Sequence, residues 1–214
     1  MSSAPASTED QDRGEDDHPS SIVTSRRWLI LLLVQVSTLT FGMAITATNV
    51  VLPQVRGALS ITQDQAAWIV TLFLVAAAVA TPLTGWLAGR LGWRRFMVTT
   101  LVGFTVSSLA CGLAGSLEAL LVARVAQGLF GAPLMPLGQG MLLATFPRHM
   151  HPLVLMLWGV GAVMGPVLGP ILGGVIAESL GWRWAFLLLA PIGALTTLLA
   201  VVALGDQERG TSGR

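Results

Sequence analysis

Six stretches without a charged side chain, at 28–55, 65–89, 96–117, 125–147, 152–177 and 184–205, fill most of this 214-residue chain. Each can supply the roughly 20 apolar residues that cross a bilayer as a helix. Composition agrees: 53% of residues are hydrophobic, 11% are charged and the mean hydropathy is +0.73, outside the range of an ordinary soluble domain. Six spans in a chain this short leave no room for a soluble domain of any size. The expected fold class is an all-α membrane protein with six transmembrane helices.

The ends read differently from the middle. Residues 1–25 are rich in Ser, Asp and Glu and show no apolar periodicity, so they are expected to form a disordered polar tail. The apolar run after Arg26 and Arg27 is far longer than a signal-peptide core and has no early small-residue cleavage site, so it is expected to stay as the first span. The six-helix bundle is then assigned to 26–204, and 205–214 to a second tail. Basic residues near a membrane are held on the cytoplasmic side. With the N-terminus inside, the inner segments carry Arg13, Arg26, Arg27, Arg90, Arg94, Arg95, Arg148, Arg209 and Arg214, whereas the outer loops carry only Arg56 and Arg183. Both termini are therefore expected in the cytoplasm. Trp28, Trp86, Trp93, Trp182 and Trp184 fall near span ends, where an aromatic belt is expected.

Two ten-residue stretches, GWLAGRLGWR at 85–94 and GVIAESLGWR at 174–183, share six identities in register, each at the junction of two apolar runs. Three spans separate the copies. An odd number puts them on opposite sides of the bilayer, so the bundle reads as two inverted three-helix repeats, an arrangement used by many secondary transporters. Reuse of Gly, Trp and Arg in membrane loops for turns and interface anchoring is the plainer account of the same residues.

Arg124 is the only charged residue inside a span. It lies six positions after Glu118, about 9 Å into the helix at about 1.5 Å per residue. An intramembrane arginine normally faces a cavity or a partner, unless its long side chain snorkels to the interface. Gln127, Gly128 and Gly131 follow at i+3, i+4 and i+7, a polar and small stripe that favours a cavity-facing arginine. The fifth span carries Gly161, Gly165, Gly169 and Gly173 at four-residue spacing, with Pro166 and Pro170 after two of them. Such spacing lets a neighbouring helix approach closely, and proline loosens or kinks a helix; a static dimerisation face is the alternative. In the first span Gln35, Thr38, Gly42, Thr46 and Asn49 recur at i+3 and i+4, making a weakly polar face that either lines a substrate path or bonds to adjacent helices.

No carboxylate lies inside a span: Asp64, Glu118 and Glu178 map to outer loops or span ends. Proton-coupled transport usually relies on membrane-embedded acids or histidines, and no such relay is evident. The lone Cys111 reads as a packing residue. His149 and His151 share a short loop and do not make a metal site; no metal or cofactor is expected. GxxxxGK, HExxH and GxSxG patterns are absent, which argues against primary active transport, metalloproteolysis and enzymes with a nucleophile elbow. The chain is not expected to be an enzyme or to bind nucleic acid.

Read together, these segments resemble the N-terminal six-helix half of the major facilitator superfamily, and within it the fourteen-span drug/proton antiporter branch of the EmrB/QacA type. GWLAGRLGWRR at 85–95 resembles the loop signature between helices two and three. The resemblance implies that Gly85, Arg90, Gly92, Arg94 and Arg95 help control an inner gate. LVARVAQG at 121–128 is similar to the fourth-helix signature, which implies a role in proton coupling for Arg124 beside Gln127 and Gly128. GAVMGPVLGPILGG at 161–174 is similar to the antiporter signature of helix five; NVVLP at 49–53 and WRWAF at 182–186 resemble further signatures of the branch. Three positions depart from the pattern: Ala44 stands where an acid is usual, Gly89 where an aspartate is usual and Leu189 where an asparagine is common.

The resemblance implies a multi-pass transporter of the bacterial cytoplasmic membrane, a proton-coupled multidrug exporter acting on hydrophobic or amphipathic small molecules. The chain is expected to represent the N-terminal half or a truncated form. Alternating access needs two halves, so the expected partners, besides the lipid bilayer, are a second copy or a separate C-terminal half. The cavity-lining candidates are Gln35, Thr38, Thr46 and Asn49, facing Arg124 and Gln127. A non-transporting membrane remnant or interaction protein is the alternative.

Overall fold

The computed structural model describes residues 21–204, and every regular element among them is helical. In chain order these are α1 (Ser21–Leu59), α2 (Gln63–Leu91), α3 (Trp93–Leu113), α4 (Leu117–Gly131), α5 (Leu134–Thr145), a single 3₁₀ turn (Arg148–Met150), α6 (His151–Leu180), α7 (Trp182–Leu187) and α8 (Leu189–Leu204). They group into six segments long and apolar enough to cross a membrane. Spans one to three are α1, α2 and α3; span four joins α4 to α5, span five is the 3₁₀ turn with α6, and span six joins α7 to α8. Helix α1 begins at Ser21, so the last five residues assigned to the N-terminal tail belong to the first helix. The rest of that tail and residues 205–214 lie outside the described residues.

Local chemistry sets the helix ends. Thr62 caps α2 in a reciprocal box, its hydroxyl accepting from the Gln65 N–H at 3.3 Å while the Gln65 side-chain oxygen accepts from the Thr62 N–H at 3.0 Å, which satisfies two otherwise orphaned donors. Ser116 caps α4 by accepting from the Ala119 N–H at 3.3 Å. Span four breaks at Ala132 and Pro133, where Pro133 and Pro136 remove two backbone donors three residues apart. Helix α6, by contrast, runs unbroken through both Pro166 and Pro170.

The two copies of the ten-residue stretch fold alike. Gly92 (φ 81°, ψ 142°) and Gly181 (φ 91°, ψ 160°) each end one helix and begin the next. Each N–H bonds back to an equivalent alanine carbonyl, Ala88 at 3.0 Å and Ala177 at 3.1 Å, and both alanines are buried. A positive φ is open to glycine and strained for other residues, which explains why glycine occupies the same place in both copies.

Span one packs most extensively on span five, span two on span four, and span three on spans four and six. The pairing of one with five and of two with four exchanges when spans one to three are swapped for four to six. The glycines of α6 account for the first pairing. Gly165 lies against the Leu39 carbonyl and Gly42, Gly169 against Thr46 and the Met43 carbonyl, and Gly173 against Ala47. The four-residue spacing is therefore used within the chain, by span one, and is not an outward dimerisation face.

The interior holds two apolar clusters. One is built on Leu33, Phe41, Phe73, Leu101, Phe104 and Leu137, the other on Val51, Ile69, Cys111, Leu120, Trp182 and Phe186. Trp182, expected in the aromatic belt, is buried at 6% exposure, edge-on to Phe186 with ring centroids 6.2 Å apart. The turn at Gly181 points it inward. Trp68, not among the expected belt residues, is exposed, as are Trp28, Trp86, Trp93 and Trp184.

Candidate functional site

Arg124 is the largest fully buried side chain among the described residues, with 0% of its surface exposed. It neither snorkels nor faces a cavity. Its position one face away from Val122, on a helix whose outer face is apolar and exposed, turns it into the bundle, where spans one, two, three and six close around it. Its Nε donates to the Ile69 carbonyl of span two at 3.2 Å, and Nη1 donates to the Ala44 carbonyl of span one at 3.5 Å and to Gln127 Oε1 at 2.5 Å. The guanidinium carbon sits 4.0 Å from the centroid of the Phe73 ring and 5.7 Å from that of Phe186. Cation–π attraction of this kind grows when the cation is desolvated.

Gln127 extends the network. Its Nε2 donates to Ser108 Oγ at 2.8 Å, and that hydroxyl donates to the Phe104 carbonyl at 2.7 Å. The Cys111 thiol donates to Gln127 Oε1 at 3.8 Å. The polar chain thus runs from span two through span four to span three, and each member holds the next in one orientation. Arg124 Nη2 is buried and has no hydrogen-bond partner. No described carboxylate bonds to Arg124, whose recorded partners are two carbonyls and one amide. A buried cation balanced by dipoles and aromatic faces is costly, and both N–H bonds of Nη2 are left uncommitted.

Gly128 lets this arrangement exist. A side chain there would meet the Phe73 carbonyl and Ala76 of span two, so glycine is what brings α4 close enough for Arg124 to reach Ile69. Gly131 lies in the same way against the Phe41 and Phe104 rings. The stripe that the sequence placed on a cavity wall is therefore the packed core of the bundle.

The other expected site residues fall elsewhere. Gln35 and Thr46, expected to line a cavity, lie along the seam between spans one and five, Thr38 is buried, and Asn49 is exposed. Thr46 donates to its own helix, to the Gly42 carbonyl at 3.3 Å; Thr38 is fully buried, and its hydroxyl has no partner. Gln35 borders a crevice of about 340 Å³ shared with Trp28, Leu31, Leu32, Leu157 and Val160.

Gly85, Arg90, Gly92, Arg94 and Arg95 gather at the turn between α2 and α3. Arg90 stacks over Trp86, 4.4 Å from the ring centroid, and Gly85 is exposed with open space around it. Arg94 and Arg95 line a recess of about 470 Å³ with Thr99 and Val201 of span six. At the second copy of the turn, Arg183 donates to the Gly112 carbonyl at the end of α3, 3.3 Å away, a favourable place for a cation at a helix C-terminus. Arg26 does the same for α8 through the Ala203 carbonyl at 3.1 Å.

Sequence reasoning missed Phe73, Phe186, Ser108 and the carbonyls of Ile69 and Ala44 as partners of the Arg124–Gln127 pair. Phe and Ser in an apolar run carry no local signal, and a carbonyl carries none at all. Ala44 was singled out for a missing acid, and its backbone proves to touch the arginine.

Comparison with known proteins agrees with this architecture. The Major Facilitator Superfamily pattern matches residues 35–214. The multidrug export protein EmrB of Haemophilus influenzae is 42% identical over 183 residues, covering 84% of this chain and 36% of that protein. The probable multidrug resistance protein EmrY of Escherichia coli is 35% identical over 194 residues, covering 91% of this chain and 38% of the relative. The fatty acid resistance protein FarB of Neisseria gonorrhoeae is 39% identical over 181 residues, 81% of this chain and 36% of that one. The chain thus spans little more than a third of the length of these relatives. A six-span helical bundle, a match over most of its residues and identities of this size establish that the chain belongs to the major facilitator superfamily.

Proposed function

We propose that this chain is the N-terminal six-helix bundle of a proton-coupled exporter of hydrophobic or amphipathic small molecules in a bacterial cytoplasmic membrane. The observation that carries the reading is Arg124, an intramembrane charge held by the backbone of spans one and two with both N–H bonds of Nη2 uncommitted. Intramembrane ionisable groups are expensive and mark ion or substrate pathways. The printed names of the relatives, multidrug export for EmrB and fatty acid resistance for FarB, support the substrate class.

Alternating access rocks two bundles about a midplane site, so the reading requires a second bundle, either a C-terminal half or another copy. Spans two and five are the least buried of the six and present Val75, Val79 and Leu83 on one and Val163, Val167 and Ile171 on the other as exposed apolar rows. These are the faces the second bundle covers. The matching turns at Gly92 and Gly181 and the exchangeable span pairings support two inverted three-helix repeats. The clustering of Arg90, Arg94, Arg95 and Arg148 supports a cytoplasmic location for that end and for both termini. In this scheme Arg90, Arg94 and Arg95 act at the inner gate, and the Arg124–Gln127–Ser108 chain responds to charge brought in by the partner bundle, the proton or the substrate.

The test is dye efflux from cells stripped of their own pumps, with this chain expressed together with the C-terminal bundle of EmrB from Haemophilus influenzae. Arg124→Ala should insert normally and lose efflux. Equal dye retention by the wild type, the variant and empty vector would overturn the reading. A non-transporting interaction protein is the second reading, favoured by the alanine at position 44: the arginine meets a carbonyl there and no acid.

A further inference from the structure

Spans three and four do not close along their whole length. Gly103, Ser107 and Ala110 of span three face Ala119, Ala123 and Ala126 of span four, and these short side chains leave a groove of about 730 Å³. Both sets recur at helical spacing, so the groove runs along the helices. Its far end is closed by Phe130, whose ring lies over Gly103. At the near end stands Glu118. The distance along the helix from Glu118 to Phe130 is about 18 Å at about 1.5 Å per residue, somewhat more than half the thickness of a bilayer's hydrocarbon core. Val106 and Val122, at the rims, are 58% and 71% exposed, so the groove opens sideways to lipid.

Glu118 is one of three carboxylates among the described residues and the one that borders this apolar groove. Its carboxylate makes no hydrogen bond or ion pair among the described residues. Its place in the first turn of α4 favours a negative charge, but Asp64 has the same place in α2 without bordering such a groove. We propose that this groove is a phospholipid site: one acyl chain lies between spans three and four, and a primary-ammonium headgroup, as in phosphatidylethanolamine, pairs with Glu118. A bilayer supplies such lipids at far higher local concentration than any transported compound, which fixes the occupant as lipid. The carboxylate at the mouth of the groove selects the amine. The small side chains admit the chain, and Phe130 sets the depth it reaches.

The experiment is native mass spectrometry of the whole chain extracted gently from nanodiscs holding equal phosphatidylethanolamine and phosphatidylglycerol with matched acyl chains. About fivefold enrichment of the amine lipid is expected on the wild type, the size of one exposed ion pair. Glu118→Gln should bind both lipids equally, Glu118→Asp and Asp64→Asn should keep the preference, and Ala119→Phe, at an exposed wall position, should lose the bound lipid itself. The proposal is overturned if the wild type retains both lipids alike, if Glu118→Gln keeps the preference or if Asp64→Asn abolishes it. Should Glu118→Gln fail to insert, Ala119→Phe decides: undiminished lipid retention by that variant sinks the site. None of these readouts depends on transport, so failure here leaves the exporter reading standing.

Discussion

Arg124 sets two readings of one residue against each other, structural and functional, and energetics separate them. Removing one partner of a buried charged network is destabilising, whereas replacing a buried charge with an apolar side chain of similar length is often neutral or stabilising. The partners left behind by Arg124→Met are carbonyls of Ile69 and Ala44 and the amide of Gln127, which keeps its bond to Ser108. The variant should therefore unfold within about 1 kcal/mol of the wild type while losing efflux in the two-bundle assay. A marked loss of stability would assign the arginine to structure. Cys111 supplies the reporter. Its thiol is fully buried, so a maleimide dye should react only as the bundle unfolds, and labelling of the native protein within minutes would contradict the packing of spans three and four. The identity and isolation of Arg124 were legible in the sequence; its enclosure by Phe73, Phe186 and two carbonyls was not, because those partners come from spans distant in the chain.

At the scale of elements, glycine does two separable jobs. Gly92 and Gly181 have open space around them and positive φ with extended ψ, so alanine at either is penalised by the backbone alone, by about 1–3 kcal/mol. Matching geometry predicts matching losses in thermal unfolding for Gly92→Ala and Gly181→Ala. Unequal losses would argue against equivalent turns. Gly165 has ordinary helical geometry, but a side chain there would meet the Leu39 carbonyl at 2.7 Å and the Gly42 Cα at 3.0 Å, backbone atoms that cannot step aside cheaply. Gly159, in the same helix, has nothing within 4 Å. Gly165→Ala should clearly lower the stability measured by unfolding, whereas Gly159→Ala should leave it unchanged or raise it by up to about 1 kcal/mol. The four-residue glycine spacing was readable in advance; its partner, the polar face of span one, was not, since a weakly polar face suits a water-filled path and a close helix contact equally.

For the whole molecule, the exposed apolar rows of spans two and five are the faces that the exporter reading assigns to a second bundle. Single cysteines at Val79 or Val163, introduced with Cys111 replaced by Ser, should cross-link between copies under mild oxidation when the chain is expressed alone. Equally exposed positions on spans three and six, Val106 and Val202, should not. Cross-linking at all four positions alike would mean that no face is preferred and that the copies meet by diffusion in the bilayer.

The sequence by itself determined the helical class, the six spans, the turns at Gly92 and Gly181, the lone intramembrane charge and the family resemblance. Each depends on composition and short-range spacing: apolar length, a repeated loop stretch rich in glycine, charge excluded from hydrocarbon. Tertiary structure alone decided which faces meet. It turned the Arg124 stripe into packed core, gave the glycines of α6 to span one, brought Trp182 inward and left an open groove beside Glu118. Those outcomes depend on how closely helices from distant parts of the chain approach, which is set by side-chain volume on both sides of a contact and is not written in either segment alone.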